Sequence, residues 1–204
     1  MSPRPRKVSD DDILAATYRA MTRLGPGELT LAEIAAEAGV TAGALVQRFG
    51  SKRQLLLALS TQSAASGDAF FRSLRAGHRS PLAALRGYAD CLAQMAESPA
   101  ALARSLAYLQ IDLTDEDFRR PLALHARSTR AGLQALIEDA VAAGELVPSV
   151  NAPRLARTIE ALLSGSMMSW AMYLEGTAAQ WMRDDLDAVL APFVVAPSKR
   201  SRKT

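Results

Sequence analysis

Cysteine and histidine are scarce in this chain, which has one cysteine, Cys91, and two histidines, His78 and His125, among 204 residues. A lone cysteine cannot form an intrachain disulfide and is consistent with a reducing compartment. The sequence also lacks a metal-ligand cluster, a phosphate-binding loop and a nucleophile elbow. We therefore expect no catalytic residue, no metal site and no cofactor.

Aromatic residues and long apolar runs are also scarce. Aromatics make up 5% of a chain that is 49% hydrophobic, and Ala and Leu supply most of the apolar residues. This composition favours helix over sheet. The most apolar run, Ala161 to Leu174, is shorter than the roughly 17–25 residues that span a bilayer. The basic N-terminus has no apolar region of the signal-peptide type. We expect a buried helix here and no membrane partner.

Acidic residues are missing from both ends of the chain. Residues 1–8 hold Arg4, Arg6 and Lys7, and residues 198–204 hold four more lysines and arginines. Because the whole chain has a net charge of +3, the body between these ends is mildly acidic. Basic tails on a folded body are typical of nucleic-acid-binding proteins. A disordered, solubilising segment explains the C-terminal tail equally well.

Helical periodicity runs through almost the whole chain, and no strand pattern is visible, so we predict an all-α fold. Ser9 and the three aspartates after it start a first helix that ends near Leu24. We expect the helix that begins at Ser51 to continue to about Leu74. A long helix is predicted from Asp115 to about Ala143, with Pro121 able to split it.

The most informative stretch runs from Thr30 to Leu56. Thr30–Glu33 and Ser51–Gln54 have the spacing of capping boxes. Between them, two short helices flank a tight turn in which Gly39 supplies the positive φ of a sharp helix end. This pattern predicts a helix-turn-helix with one helix face free to enter a major groove. The alternative is an ordinary helical hairpin.

Residues 29–52, LTLAEIAAEAGVTAGALVQRFGSK, resemble the DNA-binding signature of TetR-family regulators. The resemblance implies an all-helical dimer with a small-molecule pocket in its larger domain, in a bacterial cytoplasm. It divides the chain into a basic arm and three-helix DNA-binding domain (1–52), a helical ligand-binding and dimerisation domain (53–197) and a basic tail (198–204). The implied function is a repressor that an effector releases from its operator. The alternatives are an activator and an effector-independent DNA-binding protein.

The signature departs from the family pattern at several positions. Val46 stands where a tyrosine that contacts phosphate is usual, and Arg48 stands where a histidine is usual. Ala44 replaces a frequent serine or threonine, and Arg53 replaces a frequent acid. The recognition helix is therefore poor in hydrogen-bond donors, so most direct base readout should come from Gln47 and Arg48.

Each predicted DNA contact has its own chemistry. Glutamine pairs with adenine and arginine with guanine, while Ala44 can touch a thymine methyl. Lys52, beside free N–H groups at a helix start, matches the family's phosphate-binding lysine. Thr30 and Thr41 can bind phosphate or only cap their helices, and the basic arm can follow the minor groove. The predicted contacts are Thr30, Thr41, Ala42, Ala44, Gln47, Arg48, Lys52 and Arg6.

Residues 78–175 are expected to enclose a mostly apolar effector cavity. A few isolated polar or soft side chains lie among many apolar ones there, and they are the candidate lining residues. The alternative is that they lie at surface or satisfied core positions, where a lone histidine or tyrosine in a helix is found more often than on a ligand. The predicted ligand-binding residues are Cys91, Met95, Tyr108, His125 and Trp170.

The last two helices are predicted to form the homodimer interface. The run 161–174 is apolar nearly all round, and its small residues permit close helix contact. The alternative is that both helices serve only the core of their own chain. The predicted interface residues are Leu162, Gly165, Ser166, Ser169, Trp170, Leu186, Val189, Leu190 and Phe193.

A dimer of this kind places two recognition helices about 34–36 Å apart, so the operator should be near-palindromic double-stranded DNA. The helix that starts at Ser51 would then be the lever through which a small effector changes that spacing. Two other protein classes fit the sequence less well. An enzyme lacks any supporting constellation of residues, and a purely structural helical module would make the match over residues 29–52 accidental.

Overall fold

The computed structural model describes residues 8–196, which form ten α-helices and no strand. The all-α prediction is therefore confirmed. A short 3-10 helix, Gln94–Ala96, follows the sixth α-helix. The α-helices are α1 Asp10–Arg23, α2 Leu31–Ala38, α3 Ala42–Phe49, α4 Lys52–Ala65, α5 Gly67–Ala76, α6 Pro81–Ala93, α7 Pro99–Thr114, α8 Glu116–Ala142, α9 Ala152–Tyr173 and α10 Ala178–Leu190.

The helices are grouped into two compact units. Unit 1 comprises the chain up to Gly67 together with Glu97–Arg127, and unit 2 comprises Asp68–Ala96 together with the chain from Ser128 onward. Helix α7 thus belongs to the same unit as the helix-turn-helix, and α8 contributes residues to both units. The sequence-based boundary at residue 52 stays a prediction.

The core of unit 1 is built from the apolar faces of its first four helices. Ile13, Ile34, Leu45 and Leu55, one from each of α1 to α4, have no exposed surface. Tyr108 of α7 packs against the same cluster. Burial of these side chains, worth roughly 1.5–3 kcal/mol each, holds the short helices α2 and α3 in place.

The core of unit 2 combines α6, α9 and α10 with α5 and the second part of α8. Leu85, Ile137, Ile159 and Met182 are fully buried. Phe71 stacks on Tyr88 at 5.5 Å between ring centroids. Helix α8 approaches closely because Gly132 faces the Phe71 ring, which a Cβ at this position would meet at 2.2 Å.

One prediction about helix continuity is wrong. The helix expected from Ser51 to Leu74 ends at Ala65, where the Ser66 N–H turns to the carbonyls of Gln62 and Ser63 and Gly67 follows. The tightened last turn ends α4 there, and α5 begins at Gly67. In contrast, the long helix predicted from Asp115 to about Ala143 is confirmed, because α8 spans Glu116–Ala142 and runs unbroken through Pro121, which lies in its second turn and is buried.

Both capping boxes predicted for the helix-turn-helix are half formed. Thr30 accepts from the Glu33 N–H and Ser51 accepts from the Gln54 N–H, but no returning side-chain bond joins either pair. Within residues 8–196, complete boxes occur at Ser9–Asp12 and Thr177–Gln180. No helix in this part of the chain is long and apolar enough to cross a bilayer.

Candidate DNA-binding site

The turn between α2 and α3 has the geometry that the sequence predicts. Gly39 ends α2 with φ of 66°, in the left-handed region that glycine tolerates without strain. The Val40 N–H donates to the Ala35 carbonyl at 3.0 Å, which satisfies a free carbonyl at the helix end. Thr41 then caps α3.

Helix α3 has one buried and one open face. Leu45 is fully buried, whereas Thr41, Gly43, Val46 and Gln47 are exposed. Ala42 and Ala44 are partly covered. Gln47 thus has a free amide on the open face, as its predicted role in base readout requires.

Sequence reasoning left Gly43 and Val46 out of the candidate contacts. Val46 is 47% exposed, an unusual position for a valine, and it lies next to Gln47 on the open face. The apolar pattern of the sequence could have identified both residues. Leu45 and Phe49 mark the inner face of the helix, and the helical period then places residues 43, 46 and 47 on the outer face. An exposed valine methyl suits a thymine methyl in the major groove.

Thr30 and Thr41 are exposed and act as N-caps. Each side-chain oxygen accepts the backbone N–H three residues on, at 3.1 Å in both cases. Because the hydroxyl oxygen is the acceptor in both bonds, the hydroxyl proton of each threonine is not used in them. Capping and phosphate donation are therefore compatible at both positions.

Lys52 is half-buried and uses its ammonium within the chain. Its Nζ donates to the Leu29 carbonyl at 2.7 Å and to the Pro26 carbonyl at 3.3 Å. These bonds hold the turn between α1 and α2 against the first turn of α4. One of the three ammonium donors is left for the predicted phosphate contact.

Arg48 points back toward the start of α1. Its Nε donates to Asp10 at 2.7 Å, its Nη1 donates to the Val8 carbonyl at 2.8 Å, and its Nη2 also pairs with Asp10. The predicted guanine contact would therefore require this ion pair to open. The predicted contact Arg6 lies outside the described residues.

Two further arginine clusters fix the helices around α3. Glu37 of α2 pairs with Arg19 at 2.8 Å and with Arg23 at 2.7 Å, and the Arg19 hydrogen bond lowers the pKa of this carboxyl. Arg53, at the start of α4, pairs with Asp115 and Asp117, both at 2.8 Å. The departure from the family pattern at position 53 thus connects α4 to the junction of α7 and α8.

Helix α7 also holds the last turn of α1. The Tyr108 hydroxyl donates to the Leu24 carbonyl at 2.8 Å, and Arg104 Nε donates to the Thr22 carbonyl at 3.2 Å. Burial, with a smaller contribution from Glu28, raises the pKa of Tyr108 to about 12. Tyr108 was predicted to bind ligand, but its hydroxyl is used inside unit 1.

The other predicted ligand residues are divided between the two units. His125 of unit 1 is exposed. In unit 2, Cys91 is half-buried, Met95 is 42% exposed, and buried Trp170 donates from Nε1 to the Gly176 carbonyl at 3.3 Å. Their role in effector binding stays a prediction.

An open groove of about 490 Å³ in unit 2 lies elsewhere, where α8 ends and α9 begins. None of the predicted ligand residues lines it. Its lining residues are Glu138, Val141, Ala142, Val150, Asn151, Ala152 and Pro153.

Four of the predicted interface residues are buried within their own chain, and their assignment to a dimer interface stays a prediction. Leu186 and Leu190 have no exposed surface, and Trp170 is buried and donates from Nε1 to the Gly176 carbonyl just beyond the end of α9. Ser166 is buried and donates to the Asp185 carboxylate of α10. Helices α9 and α10 pack on each other within the chain, and Ser166 lies in this intrachain seam. Leu162, Gly165, Ser169, Val189 and Phe193 keep partial exposure.

Two family models match the N-terminal and the C-terminal parts of the chain. Residues 13–59 match the family described as bacterial regulatory proteins, tetR family, and residues 89–186 match the Tetracyclin repressor-like C-terminal domain. The chain is 32% identical over 168 residues to the HTH-type transcriptional regulator BetI of Agrobacterium fabrum, which covers 81% of this chain and 76% of that protein.

Solved structures share the fold. A TetR transcription regulator from Haloarcula marismortui matches with a TM-score of 0.70 and 20% identity, over 91% of this chain and 98% of that one. A TetR-family regulator from Agrobacterium tumefaciens matches with a TM-score of 0.64 and 25% identity, over 90% and 94% of the two chains.

We expect Tyr108→Phe to lower the free energy of unfolding by about 0.5–1.5 kcal/mol near neutral pH, because it removes the bond to Leu24. The folded-state pKa of Tyr108 is raised above the ordinary value of 10.0. Its stabilising effect is therefore present below about pH 10 and is lost as the pH rises toward about 12. The stability difference between wild type and variant should shrink over this range.

Urea unfolding at a series of pH values measures this difference. Tyr18→Phe, at an exposed tyrosine of α1, is the matched control and should leave stability unchanged. A Tyr108→Phe variant as stable as wild type at neutral pH would contradict the anchoring role of the hydroxyl.

Proposed function

The chain belongs to the TetR family of transcriptional regulators, and on that premise we propose that it is a repressor that binds a near-palindromic operator as a homodimer. A small apolar effector releases it. The proposal that the chain binds DNA rests on the open face of α3. Gln47 and Val46 are exposed on this face, whereas Leu45 is buried on the other.

Base readout comes mainly from the outer face of α3. Gln47 pairs with an adenine through its amide, and Val46 and Ala44 contact thymine methyl groups. Gly43 allows the backbone to approach the groove edge, since only Thr41 Oγ1, at 3.9 Å, lies near its missing Cβ. This chemistry predicts a half-site rich in A·T pairs.

Phosphate contacts on either side of the groove fix the register of α3. Thr30 and Thr41 present hydroxyls at the starts of α2 and α3, where free N–H groups attract anions. Lys52 adds its remaining ammonium donor at the start of α4. Such contacts position the protein without reading sequence.

Gln47→Ala tests the readout. We expect the variant to lose about 1–3 kcal/mol of discrimination between operator and random duplex, because a bidentate adenine contact is worth that much. Fluorescence anisotropy on the chain's own upstream intergenic DNA and on a random duplex, across a salt series, measures the loss. Gln110→Ala, at an exposed glutamine of α7, is the matched control. Unchanged selectivity in Gln47→Ala would refute readout through this face.

The dimer interface uses the exposed stripe of α9. Ala161, Gly165, Met168 and Met172 recur at helical spacing on the side away from the α10 seam, and Met172 is 73% exposed. Exposed apolar side chains in a continuous row are typical of protein interfaces. Leu174 follows with φ of 57° and is also exposed. A leucine in this left-handed conformation is strained by about 1–2 kcal/mol, which contacts within a dimer would offset.

The paired substitution Met168→Glu with Met172→Glu should convert the dimer to a monomer, since it places charges in a desolvated interface. Sedimentation velocity at micromolar concentration measures the change. Met95→Glu, at an exposed methionine outside α9, is the matched control and should stay dimeric. A monomeric wild type, or a double variant that remains a dimer, would refute the interface.

Effector release is proposed to act through α7. Leu106, Leu109 and Leu113 form an exposed apolar strip on this helix, whereas Arg104 and Tyr108 on another face hold α1. An effector that binds the strip and shifts α7 would pull on α1 and disturb the spacing of the recognition helices. By linkage, operator and effector then weaken each other by the same factor, typically about 5–150-fold.

A further inference from the structure

Arg48 lies in the last turn of the recognition helix, but its guanidinium is bonded to the start of α1. Its Nε donates to Asp10 at 2.7 Å, its Nη2 also pairs with Asp10, and its Nη1 donates to the Val8 carbonyl at 2.8 Å. Only 28% of the side chain is exposed. Bidentate readout of guanine needs two donors on one edge of the guanidinium, and these bonds already use at least one donor on each edge.

Helix α3 has eight residues and is supported at three points. Thr41 caps its first turn, and the fully buried Leu45 fixes its middle. Phe49 is partly buried, and Gly50, with φ of 83°, ends the helix directly after it. Whereas α3 packs on α2 and α4, Arg48 bonds its last turn to a third helix, α1. This third support fixes the tilt of α3, which one buried leucine leaves free.

The start of α1 is itself held in place. Ser9 and Asp12 form a complete capping box there. Val8 packs against the core of unit 1, and Asp11 accepts a hydrogen bond from Gln62 of α4 at 2.7 Å. Arg48 is therefore anchored to a fixed point of unit 1.

Gln47 is the side chain that this anchor serves. It precedes Arg48 in the last turn of α3 and is exposed on the open face. Because hydrogen bonds to a base require a narrow range of distances, a shift of about 1 Å in this turn breaks the proposed adenine contact. The proposed phosphate contacts, Thr30, Thr41 and Lys52, lie instead at the starts of α2, α3 and α4.

We propose that Arg48 is a positioning residue that clamps the last turn of α3 to the start of α1, so that Gln47 reaches its base. This inference rests on the proposed base readout through α3. The clamp supports the preference for operator over random DNA. Binding to random DNA depends on phosphate contacts and does not need the clamp.

The ion pair of Arg48 and Asp10 contributes little to folding stability. The Asp10 side chain is 64% exposed, and water and salt screen such pairs. The pair instead supplies geometry, since a planar guanidinium bonded through three nitrogens fixes direction as well as distance. Loss of the clamp should therefore change DNA selectivity while Tm stays close to that of the wild type.

Asp10 distinguishes the clamp from a direct DNA contact by Arg48. If Arg48 leaves Asp10 to bind a guanine or a phosphate, removing the carboxylate frees the arginine and reduces the repulsion of DNA, so Asp10→Ala would tighten binding. If Asp10 completes the clamp, the same substitution releases the end of α3 and weakens operator binding. The two roles of Arg48 thus predict opposite signs.

The test measures DNA affinity of the full chain by fluorescence anisotropy, on the upstream intergenic DNA and on a random duplex, across a salt series. The variants are Arg48→Ala, Arg48→Lys and Asp10→Ala, and the two alanine variants are also combined with Gln47→Ala. Glu33→Ala, at an exposed carboxylate in the first turn of α2, is the matched control for Asp10→Ala. Circular dichroism and Tm verify that each variant is folded.

We expect Arg48→Ala and Asp10→Ala each to reduce the preference for operator over random duplex roughly tenfold, within the range for one lost base contact. Neither should change the slope of log K against log salt, which falls by about 0.9 for each lost phosphate contact. Arg48→Lys should lose nearly as much, because lysine keeps the charge but not the planar fork.

The combined variants measure whether the clamp acts through Gln47. In the Gln47→Ala background, either substitution should add a loss of less than about twofold, because the contact that the clamp positions is already gone. Glu33→Ala should bind the operator at least as tightly as the wild type.

Three outcomes overturn the clamp: tighter operator binding by Asp10→Ala, a salt slope reduced by about 0.9 in Arg48→Ala, or losses that add fully to that of Gln47→Ala. The second would make Arg48 a phosphate contact, and the third would make it an independent base reader. A wild type that binds both duplexes equally would refute the proposed base readout itself, whereas any of the three outcomes in a selective wild type would refute only the clamp.

Discussion

The burial of Leu45 is the constraint on which the DNA-binding unit depends. With this side chain fully enclosed by residues from α1, α2 and α4, helix α3 cannot rotate about its axis without exposing a leucine to water. One turn of helix therefore fixes which side chains point outward. Because Leu45 faces the core, Gln47 and Val46 face outward, where DNA can contact them.

Helix α1 is the element on which the other contacts of unit 1 converge. Its start is tied to α3 by Arg48 and to α4 by Gln62, its middle and end are tied to α2 through Glu37, and its last carbonyls are held by α7. A displacement of α1 is thus felt by the recognition helix and by the helix proposed to sense the effector. This connectivity gives the proposed coupling a physical route within a single compact unit.

Much of the fold was predictable because helix signals are local. Ser9, Thr41, Ser51 and Gly39 act within one turn of chain, and each has the role in the structure that the sequence assigned to it. Features that depend on packing were harder to predict from the sequence. The end of α4 at Ser66 and the passage of α8 through Pro121 depend on which ends and faces are buried, and no local pattern specifies that.

The site was predictable to a similar degree. The open face of α3 follows from the helical period, but the partner of Arg48 lies 38 residues away, at Asp10. Leu186 and Leu190 have the apolar spacing of an interface helix and of a core helix alike, and only their packing partners in the fold distinguish the two. Long-range ion pairs and the choice of buried face are properties of the assembled unit.

If a dimer reads two half-sites through α3, its binding preference should be visible in bound sequences selected from a random duplex library by the purified chain. We expect an enriched near-palindrome with A·T-rich half-sites about one helical turn apart, roughly 34–36 Å between centres. Enrichment of a single asymmetric half-site, or of no sequence at all, would contradict it.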